Sequence, residues 1–342
     1  MAMQRYRWMW GVIILAACCR SQAGAQIGAV ERVHDPHIIA ADGAFYVFCT
    51  GRGIPIRRSV DLYAWDQLGM VFPDGSPAWS REAIPGSRGL WAPHISYFHG
   101  RYYLYYSVST FGSQRSSIGV AVNATLDPAD PKYRWEDQGM VLDSSPDRTP
   151  FNAIDAAAFE DKDKRVWLAW GSFWEGIYMS ELDPATGKRK SADSPILHLA
   201  QRKGNTAIEA PYLIERDGKY YLFVSFDNCC KGVDSTYRIM VGRTDRVTGP
   251  YADDQGKPML EGGAMQVLAG QDRWRGPGHN SILQTAGGDF LVHHTYDAQR
   301  KGIAVLQIRP IAWDNGWPKA GEPISSGIGA AKAITNQSSS EK

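Results

Sequence analysis

Five copies of a short sequence pattern each begin with a residue that can take part in chemistry or ligand binding. Every copy starts with an acidic, imidazole or aromatic side chain, continues with apolar residues and a polar turn, and ends in an aromatic or aliphatic strand. The first residues of the copies are, in chain order, Asp35, Trp91, Asp155, Glu209 and His279. If the fold brings the three carboxylates together, they can serve as general acid, general base and electrostatic partner.

Apolar neighbours surround each of these carboxylates, as Ile208 and Ala210 do around Glu209. Burial of this kind raises a carboxyl pKa, which a general acid working near neutral pH requires. Each carboxylate alone could equally be a turn or capping residue. Three in the same position of a repeat favour an active site.

The repeat predicts an all-β fold, a five-bladed β-propeller. Its period is about 60 residues with several strands in each copy, and helical periodicity is nearly absent. Turn pairs such as Asp42-Gly43 and Asp217-Gly218 separate the strands. The first strand of a blade runs beside the central axis, so the five starting residues should meet there. We place the propeller in residues 28–320 and expect a flexible polar tail over 321–342.

The N-terminus predicts export. Arg5 and Arg7 precede an apolar stretch, and a small-x-small site ends at Ala25, so residues 1–25 are expected to be a secretory signal peptide. The apolar stretch is too short to span a membrane. The residues before Cys18 also resemble a lipoprotein lipobox, in which case the leader is 1–17 and Cys18 carries a lipid anchor. The protein is therefore expected to be periplasmic or extracellular, or to be an outer-membrane lipoprotein.

Charge and cysteine content exclude some classes of partner. The formal net charge is only +1, so no nucleic-acid partner is indicated, and we expect a monomer. Beyond the leader the chain has Cys49, Cys229 and Cys230. Adjacent cysteines rarely bond to each other, which leaves a Cys49 bridge to one of the pair, or unpaired buried thiols, as the alternatives. No cysteine or histidine spacing suggests structural zinc.

Eight motifs occur in order along the chain: His34-Asp35-Pro36, Leu90–Pro93, Ser107–Gly112, Asn152–Asp155, Gly171–Ile177, Ile208–Tyr212, Asp227–Gly232 and Gly276–Asn280. Together they resemble the family 43 glycoside hydrolases, and within them the arabinanases that cut α-1,5-linked arabinofuranose chains. The resemblance covers nearly the whole mature chain. It implies a five-bladed propeller and an inverting single displacement.

The resemblance also implies roles for single residues. Asp35 would be the general base, Glu209 the general acid, and Asp155 would orient the acid and tune its pKa. An inverting pair leaves room for a water, so the two catalytic carboxyls should stand about 6.5–9.5 Å apart. The residues implied to bind sugar, as stacking platforms or in adjacent subsites, are Trp91, Phe111, Asn152, Ser172 and Trp174.

A hydrated cation, commonly calcium, is implied near His279, and no organic cofactor is expected. Calcium prefers oxygen ligands, so a lone imidazole would leave most of its shell to water. The alternative is a histidine that is hydrogen-bonded to a catalytic carboxylate.

The expected substrate is the arabinan of plant cell-wall pectin, with endo action favoured. An exo-acting arabinanase, an arabinofuranosidase or a β-xylosidase are alternatives, since His94 and Ala156-Ala157 depart from the usual family pattern and affect subsite shape. A glycan-binding propeller without catalysis is a further alternative. The electrostatic cost of grouping three carboxylates speaks against it.

Overall fold

Five antiparallel sheets form the blades of a propeller, which confirms the predicted fold. The structure is a computed structural model that describes residues 26–328. The expected signal peptide and Cys18 lie outside the described residues. Within the described part, no helix is both long and apolar enough to cross a membrane.

The strands run from the inside of each blade towards its outer edge, with exceptions in blades 1 and 3. Blade 1 has β1 (Ile27–Gly28), β2 (His37–Ala41), β3 (Ala44–Phe48), β4 (Pro55–Ser59) and β5 (Ala64–Met70). Blade 2 has β6 (Trp91–Phe98), β7 (Arg101–Val108), β8 (Ser116–Asn123) and β9 (Glu136–Ser144). Blade 3 has β10 (Ala157–Glu160), β11 (Val166–Trp170), β12 (Ile177–Asp183), β13 (Lys188–Arg189) and β14 (Leu197–Ala200). The exceptions are β1, which pairs in parallel with β5 at the outer edge of blade 1, and β13 and β14, which both pair with β12.

Blade 4 has β15 (Ile208–Arg216), β16 (Lys219–Phe226), β17 (Arg238–Thr244) and β18 (Met265–Ala269). Blade 5 has β19 (Trp274–Thr285), β20 (Gly288–Asp297), β21 (Ile303–Asp314) and β22 (Trp317–Ala320). A short helix α1 (Ala78–Ala83) precedes blade 2, and 3-10 turns occur at Gly232–Asp234, Met259–Glu261 and Ala298–Arg300.

The predicted turn chemistry positions the inner hairpins. Asp42 and Gly43 have φ of 47° and 74°, and Asp217 and Gly218 have φ of 51° and 75°. Two successive left-handed residues are the backbone of a tight hairpin turn, which Asp-Gly adopts readily. These turns return each inner strand at the end of the blade away from its first residue.

The apolar core lies between neighbouring blades. Val47 of blade 1 packs with Val292 of blade 5, and Val120 of blade 2 packs with Leu168 of blade 3. Trp170 is among the largest fully buried side chains, so it is core and not a sugar platform. The inner strands are therefore held on both faces, which keeps their first residues in fixed positions.

Both ends of the described chain pack where blade 5 meets blade 1. The Arg32 N–H donates to Ala304 O at 2.7 Å, and the Leu306 N–H donates to Val30 O at 2.9 Å. Ile324 is buried in the same cluster. The beginning of the segment that was expected to be a flexible tail thus covers this junction, while residues 329–342 lie outside the described part.

The predicted bridge from Cys49 to one of the adjacent cysteines is wrong, and the alternative of unpaired buried thiols holds for Cys49 alone. Cys229 and Cys230 are bonded to each other, and Cys49 is a buried free thiol. Cys49 is fully buried between blades 1 and 5, where Arg57 Nη1 donates to its Sγ at 2.8 Å. The adjacent pair lies on a partly exposed connection between β16 and β17, which keeps Cys49 apart from it.

Candidate active site

Every blade has one residue other than glycine in the left-handed backbone region either just before its inner strand or within the first half of that strand. These residues, with their φ values, are Asp35 (52°), Ala92 (41°), Asp155 (58°), Ala210 (57°) and His279 (47°). Residues other than glycine are uncommon there, so five at corresponding places belong to the repeat. Trp91 and Glu209 were expected to correspond to Asp35, but each lies one residue before the left-handed position. Register shifts beside Trp91 and Glu209 account for the offset.

The backbone N–H of each left-handed residue donates to a side chain of the preceding blade. The pairs are Asp35 to His294 Nδ1 (3.2 Å), Ala92 to Thr50 Oγ1 (2.7 Å), Asp155 to Ser107 Oγ (2.9 Å), Ala210 to Asp155 Oδ2 (3.2 Å) and His279 to Ser225 Oγ (2.9 Å). Four of the five acceptors lie on the second strand of that blade or just after it. The site is therefore assembled across all five blade junctions.

The junction between blades 3 and 4 is the exception, because Gly171 occupies the place of the usual acceptor. Gly171 has φ of 133°, and a Cβ there would lie 2.2 Å from Gly176 O, so only glycine fits. With no side chain at this place, the Ala210 N–H bonds to the Asp155 carboxylate instead. Asp155 is thereby held beside the peptide that follows Glu209.

Asp35 lies among donors that favour its ionised form. Thr50 Oγ1 donates to Oδ2 at 2.5 Å, and Oδ1 faces His34 Nδ1 at 2.9 Å and His279 Nδ1 at 3.3 Å. His294 Nδ1 lies 3.7 Å from Oδ1 but accepts the Asp35 N–H, so it is not a donor to the carboxylate. Burial raises the pKa of Asp35, but the three imidazoles outweigh burial and hold this pKa below its ordinary value. Asp35 is thus a carboxylate over the working pH range, as a base must be.

Glu209 and Asp155 are shifted in the opposite direction. Burial raises the pKa of Glu209, the hydroxyls of Ser172 and Tyr237 oppose part of that rise, and the charge of Asp35 adds to it. Ser172 Oγ donates to Glu209 Oε2 at 2.7 Å. Burial, followed by the charges of Glu209 and Asp35, raises the pKa of Asp155 well above its ordinary value. The two carboxyls therefore titrate as a pair, and the pKa of each is raised.

The ligand atoms of His34, Asp35 and His294 lie within 4.8 Å of one another, so this group could hold a metal ion. Two imidazoles and one carboxylate suit a transition metal better than calcium, which prefers oxygen. His279, the predicted ligand, is not in this group. Its Nδ1 faces Asp35 instead, which is the hydrogen-bonding alternative.

Beside His279, both side-chain polar atoms of Asn280 are buried without a partner among the described residues. Such atoms usually bind water. The surroundings of His279 therefore fit a cation that keeps its water shell, and do not fit calcium bound directly by the chain.

The predicted sugar-binding residues differ in exposure. Phe111 is 86% exposed, and Trp91 and Trp174 are partly exposed, so none of the three belongs to the core. Asn152 is buried, and its Oδ1 has no partner among the described residues. Ser172 alone among them is seen in direct contact with a candidate catalytic carboxylate, Glu209.

Several residues of the site were not found from the sequence. Thr50, Ser107 and His294 occupy corresponding places on the second strands, and Tyr237 and Tyr296 follow in blades 4 and 5. The available signal was a polar residue at a constant distance after the hairpin turns of blades 1, 2, 4 and 5, whereas blade 3 has Gly171 at that place. In blade 5 it was also the run His293-His294-Thr295-Tyr296 within an apolar strand.

Residues 29–318 match the family described as Glycosyl hydrolases family 43. The chain belongs to this family. This family 43 protein is 39% identical to the extracellular exo-α-(1→5)-L-arabinofuranosidase of Cellvibrio japonicus, over 93% of this chain and 94% of the relative. It is 40% identical to the extracellular endo-α-(1→5)-L-arabinanase 1 of Bacillus subtilis, over 90% of this chain and 93% of the relative.

A solved structure shares the whole arrangement. The family 43 endo-arabinanase of Bacillus licheniformis superposes with a TM-score of 0.80 at 42% identity, over 86% of this chain and 99% of that one. The family 43 protein described here is therefore similar to both exo- and endo-acting relatives.

Proposed function

We propose that this protein hydrolyses α-1,5-linked L-arabinofuranose chains with inversion of configuration, acting within the chain. The observation that carries the proposal is the opposite pKa perturbation of Asp35 and Glu209 within one buried network. Carboxyls held in opposite protonation states are what an acid and a base of one reaction require. The two relatives named above are described as acting on α-(1→5) links, which supports the substrate class.

Asp35 is the general base of this proposal. It takes a proton from a water that attacks the anomeric carbon, and an inverting pair leaves space for that water. Thr50 and His34 hold the two carboxylate oxygens, so the base is oriented as well as charged. His279 adds a second imidazole on Oδ1.

Glu209 is the general acid and protonates the leaving glycosidic oxygen. Ser172 orients Oε2, and burial keeps the proton on the carboxyl until the bond breaks. Asp155 is close enough to Glu209 for the Glu209 charge to raise the pKa of Asp155, so the two carboxyls titrate as a pair, and Asp155 fixes the neighbouring peptide through Ala210. Its role is to tune and orient the acid.

Trp91 and Phe111 are assigned as platforms for sugar rings, with Asn152, Ser172 and Trp174 in adjacent subsites. A ring as exposed as that of Phe111 suits an open cleft through which a chain can pass, which favours endo action. The natural substrate is then the arabinan of plant cell-wall pectin.

A hydrated cation beside His279 is also part of the proposal, with Asn280 as a contact for its water. Such a cation supplies positive charge that favours ionised Asp35. The protein is proposed to act as a monomer after export, either free or held by a lipid at Cys18.

The test is chromatography of the early products from linear α-1,5-arabinan, with xylan and an aryl arabinofuranoside as controls. A ladder of oligosaccharides supports endo action, and one short product from the outset means exo action. Proton NMR of the first reducing end formed reports inversion or retention. Cleavage of a control substrate but not of arabinan supports an arabinofuranosidase or a β-xylosidase instead. No cleavage of any substrate supports a glycan-binding propeller.

A further inference from the structure

One surface connection reaches both candidate catalytic groups. We call residues 227–236, between β16 and β17, the disulfide loop. Its ends are joined because the Thr236 N–H donates to Asn228 O at 3.0 Å. Within it, the Lys231 N–H donates to Ser235 Oγ at 2.9 Å. The Cys229–Cys230 disulfide lies between these two bonds.

The disulfide loop contacts the network around Asp35 through one backbone group. The Cys230 N–H donates to the Tyr296 hydroxyl at 2.8 Å. That hydroxyl lies 2.7 Å from His34 Nε2, and His34 Nδ1 lies 2.9 Å from Asp35 Oδ1. Cys230 Sγ itself is 3.9 Å from His34 Nε2.

The direction of the hydrogen bonds from Cys230 to Asp35 is set by the Cys230 N–H, which can only donate. Burial lowers the pKa of His34, but the charge and hydrogen bond of Asp35 outweigh burial and raise this pKa. The Tyr296 oxygen accepts from the Cys230 N–H, so once the His34 ring is neutral the Tyr296 proton is available for Nε2. The imidazole proton then sits on Nδ1 and points at Asp35. The opposite tautomer would set a nitrogen lone pair against the carboxylate, which is unfavourable.

The Cys230 backbone needs a constraint to hold this position. Cys230 has φ of 67°, a region that residues other than glycine seldom occupy. It is also exposed, so packing alone restrains it little. A covalent ring between neighbouring side chains removes backbone freedom from both residues.

We propose that the Cys229–Cys230 disulfide is a positioning element for the catalytic base. It holds the Cys230 N–H on Tyr296, which fixes His34 in the tautomer that orients Asp35. The inference rests on the proposed function, in which Asp35 is the base. It also implies that the protein reaches full activity only where Cys229 and Cys230 are oxidised to the disulfide.

Reduction tests the proposal directly. An external dithiol such as dithiothreitol passes two electrons and two protons to the S–S bond, which becomes two thiols, while the reagent leaves as its cyclic disulfide. We expect kcat to fall at least about tenfold with KM within about twofold, because a small misplacement of a reacting group is costly. Reoxidation should restore the rate.

The choice of substrate separates the base from the acid. Tyr237, the residue after the disulfide loop, is a hydrogen-bond partner of Glu209, so a general loosening of the loop would impair the acid. Loss of the acid affects arabinan more than an aryl arabinofuranoside with a good leaving group. A displaced base should slow both substrates by the same factor. A loss confined to arabinan, or a rise in KM alone, would overturn the proposal.

Variants supply the matched controls. Cys229→Ser should show the lowered kcat without reductant and no further response to dithiothreitol. Lys231→Ala alters an exposed side chain of the same loop and should behave as the wild type. Near-ultraviolet circular dichroism identifies any variant that has lost its fold. A folded Cys229→Ser protein with wild-type kcat would contradict the proposal.

A readout that needs no turnover keeps this proposal separate from the proposed function. Nitrogen-15 NMR of the His34 ring, at a pH where it is neutral, distinguishes the two tautomers. We expect the Nδ1–H form in the oxidised protein and a mixture after reduction. An unchanged tautomer overturns the inference even in an active arabinanase. If the protein is inactive on every glycan but the His34 tautomer still changes on reduction, the proposed function is refuted and the positioning role of the disulfide is not.

Discussion

The Asp155 carboxylate accepts the backbone N–H of Ala210, with 3.2 Å between Oδ2 and N, and thereby joins blade 3 to the strand that carries Glu209. At the other four junctions a threonine, serine or histidine accepts the corresponding N–H. A candidate catalytic carboxylate thus replaces an ordinary structural acceptor at one junction. Asp155 is therefore coupled to Glu209 in two ways, through the charge of Glu209, which raises the pKa of Asp155, and through the peptide that follows Glu209.

Asp155→Asn should move the alkaline limb of the pH–rate profile to lower pH. Asparagine keeps an oxygen for the Ala210 N–H but removes the carboxyl whose titration is coupled to that of Glu209, so the raised pKa of the pair should give way to a lower pKa for Glu209 alone. Glu209 acts while protonated, so a lower pKa means that activity disappears at lower pH. The measurement is kcat/KM on arabinan across pH. An alkaline limb that stays in place would remove the tuning role from Asp155.

Glu209→Gln should lower kcat on arabinan by about 10² to 10⁴, the usual contribution of general acid catalysis. The amide cannot supply the proton, while its shape preserves binding. An aryl arabinofuranoside with a good leaving group should lose much less. Glu215→Gln, further along the same strand, is the matched control. Equal losses on both substrates would show that Glu209 is not the acid.

Thr50→Val should lower kcat about tenfold or more and reduce the free energy of unfolding by about 1–3 kcal/mol. Thr50 Oγ1 donates to Asp35 Oδ2 at 2.5 Å and accepts the Ala92 N–H at 2.7 Å, and valine makes neither bond. Thr50→Ser keeps the hydroxyl and should retain activity. The checks are steady-state kinetics and urea unfolding. Indistinguishable kinetics of the valine and serine variants would exclude a role for the hydroxyl.

Turn chemistry and side-chain types are local, and they sufficed to predict the propeller and its three carboxylates. Asp42-Gly43 and Asp217-Gly218 form the predicted turns, and Asp35 and Glu209 lie close enough for their charges to act on Asp155. The catalytic roles of the three carboxylates stay a prediction. The offset at Glu209 escaped prediction because it depends on a backbone bulge, which side-chain types do not reveal.

Contacts across the closed ring could not be predicted in the same way. His294 reaches Asp35 and Tyr296 reaches His34 only because blade 5 closes against blade 1. The Cys229–Cys230 bond was also missed, because adjacent cysteines rarely form a disulfide with each other and this pair on an exposed loop is an exception.

Removal of divalent cations should shift the acidic limb of the pH–rate profile upward. A cation beside His279 would favour ionised Asp35, so its loss raises the pKa of Asp35 and the base is protonated at higher pH. Dialysis against a chelator, metal analysis and restoration with calcium provide the measurement. An unchanged profile in a protein shown to be metal-free would leave His279 only its hydrogen-bonding role on Asp35.

Phe111→Ala should raise KM for arabinan by about three- to tenfold and leave the free energy of unfolding within about 0.5 kcal/mol. The ring is 86% exposed, so its removal opens no cavity, and its stability contribution is small. Tyr97→Ala is the matched control, because Tyr97 is 52% exposed but lies at the far end of the inner strand that Trp91 begins. The control should leave KM unchanged. If both variants raise KM alike, the effect does not arise from a platform at the cleavage point, and Phe111 loses its assigned subsite.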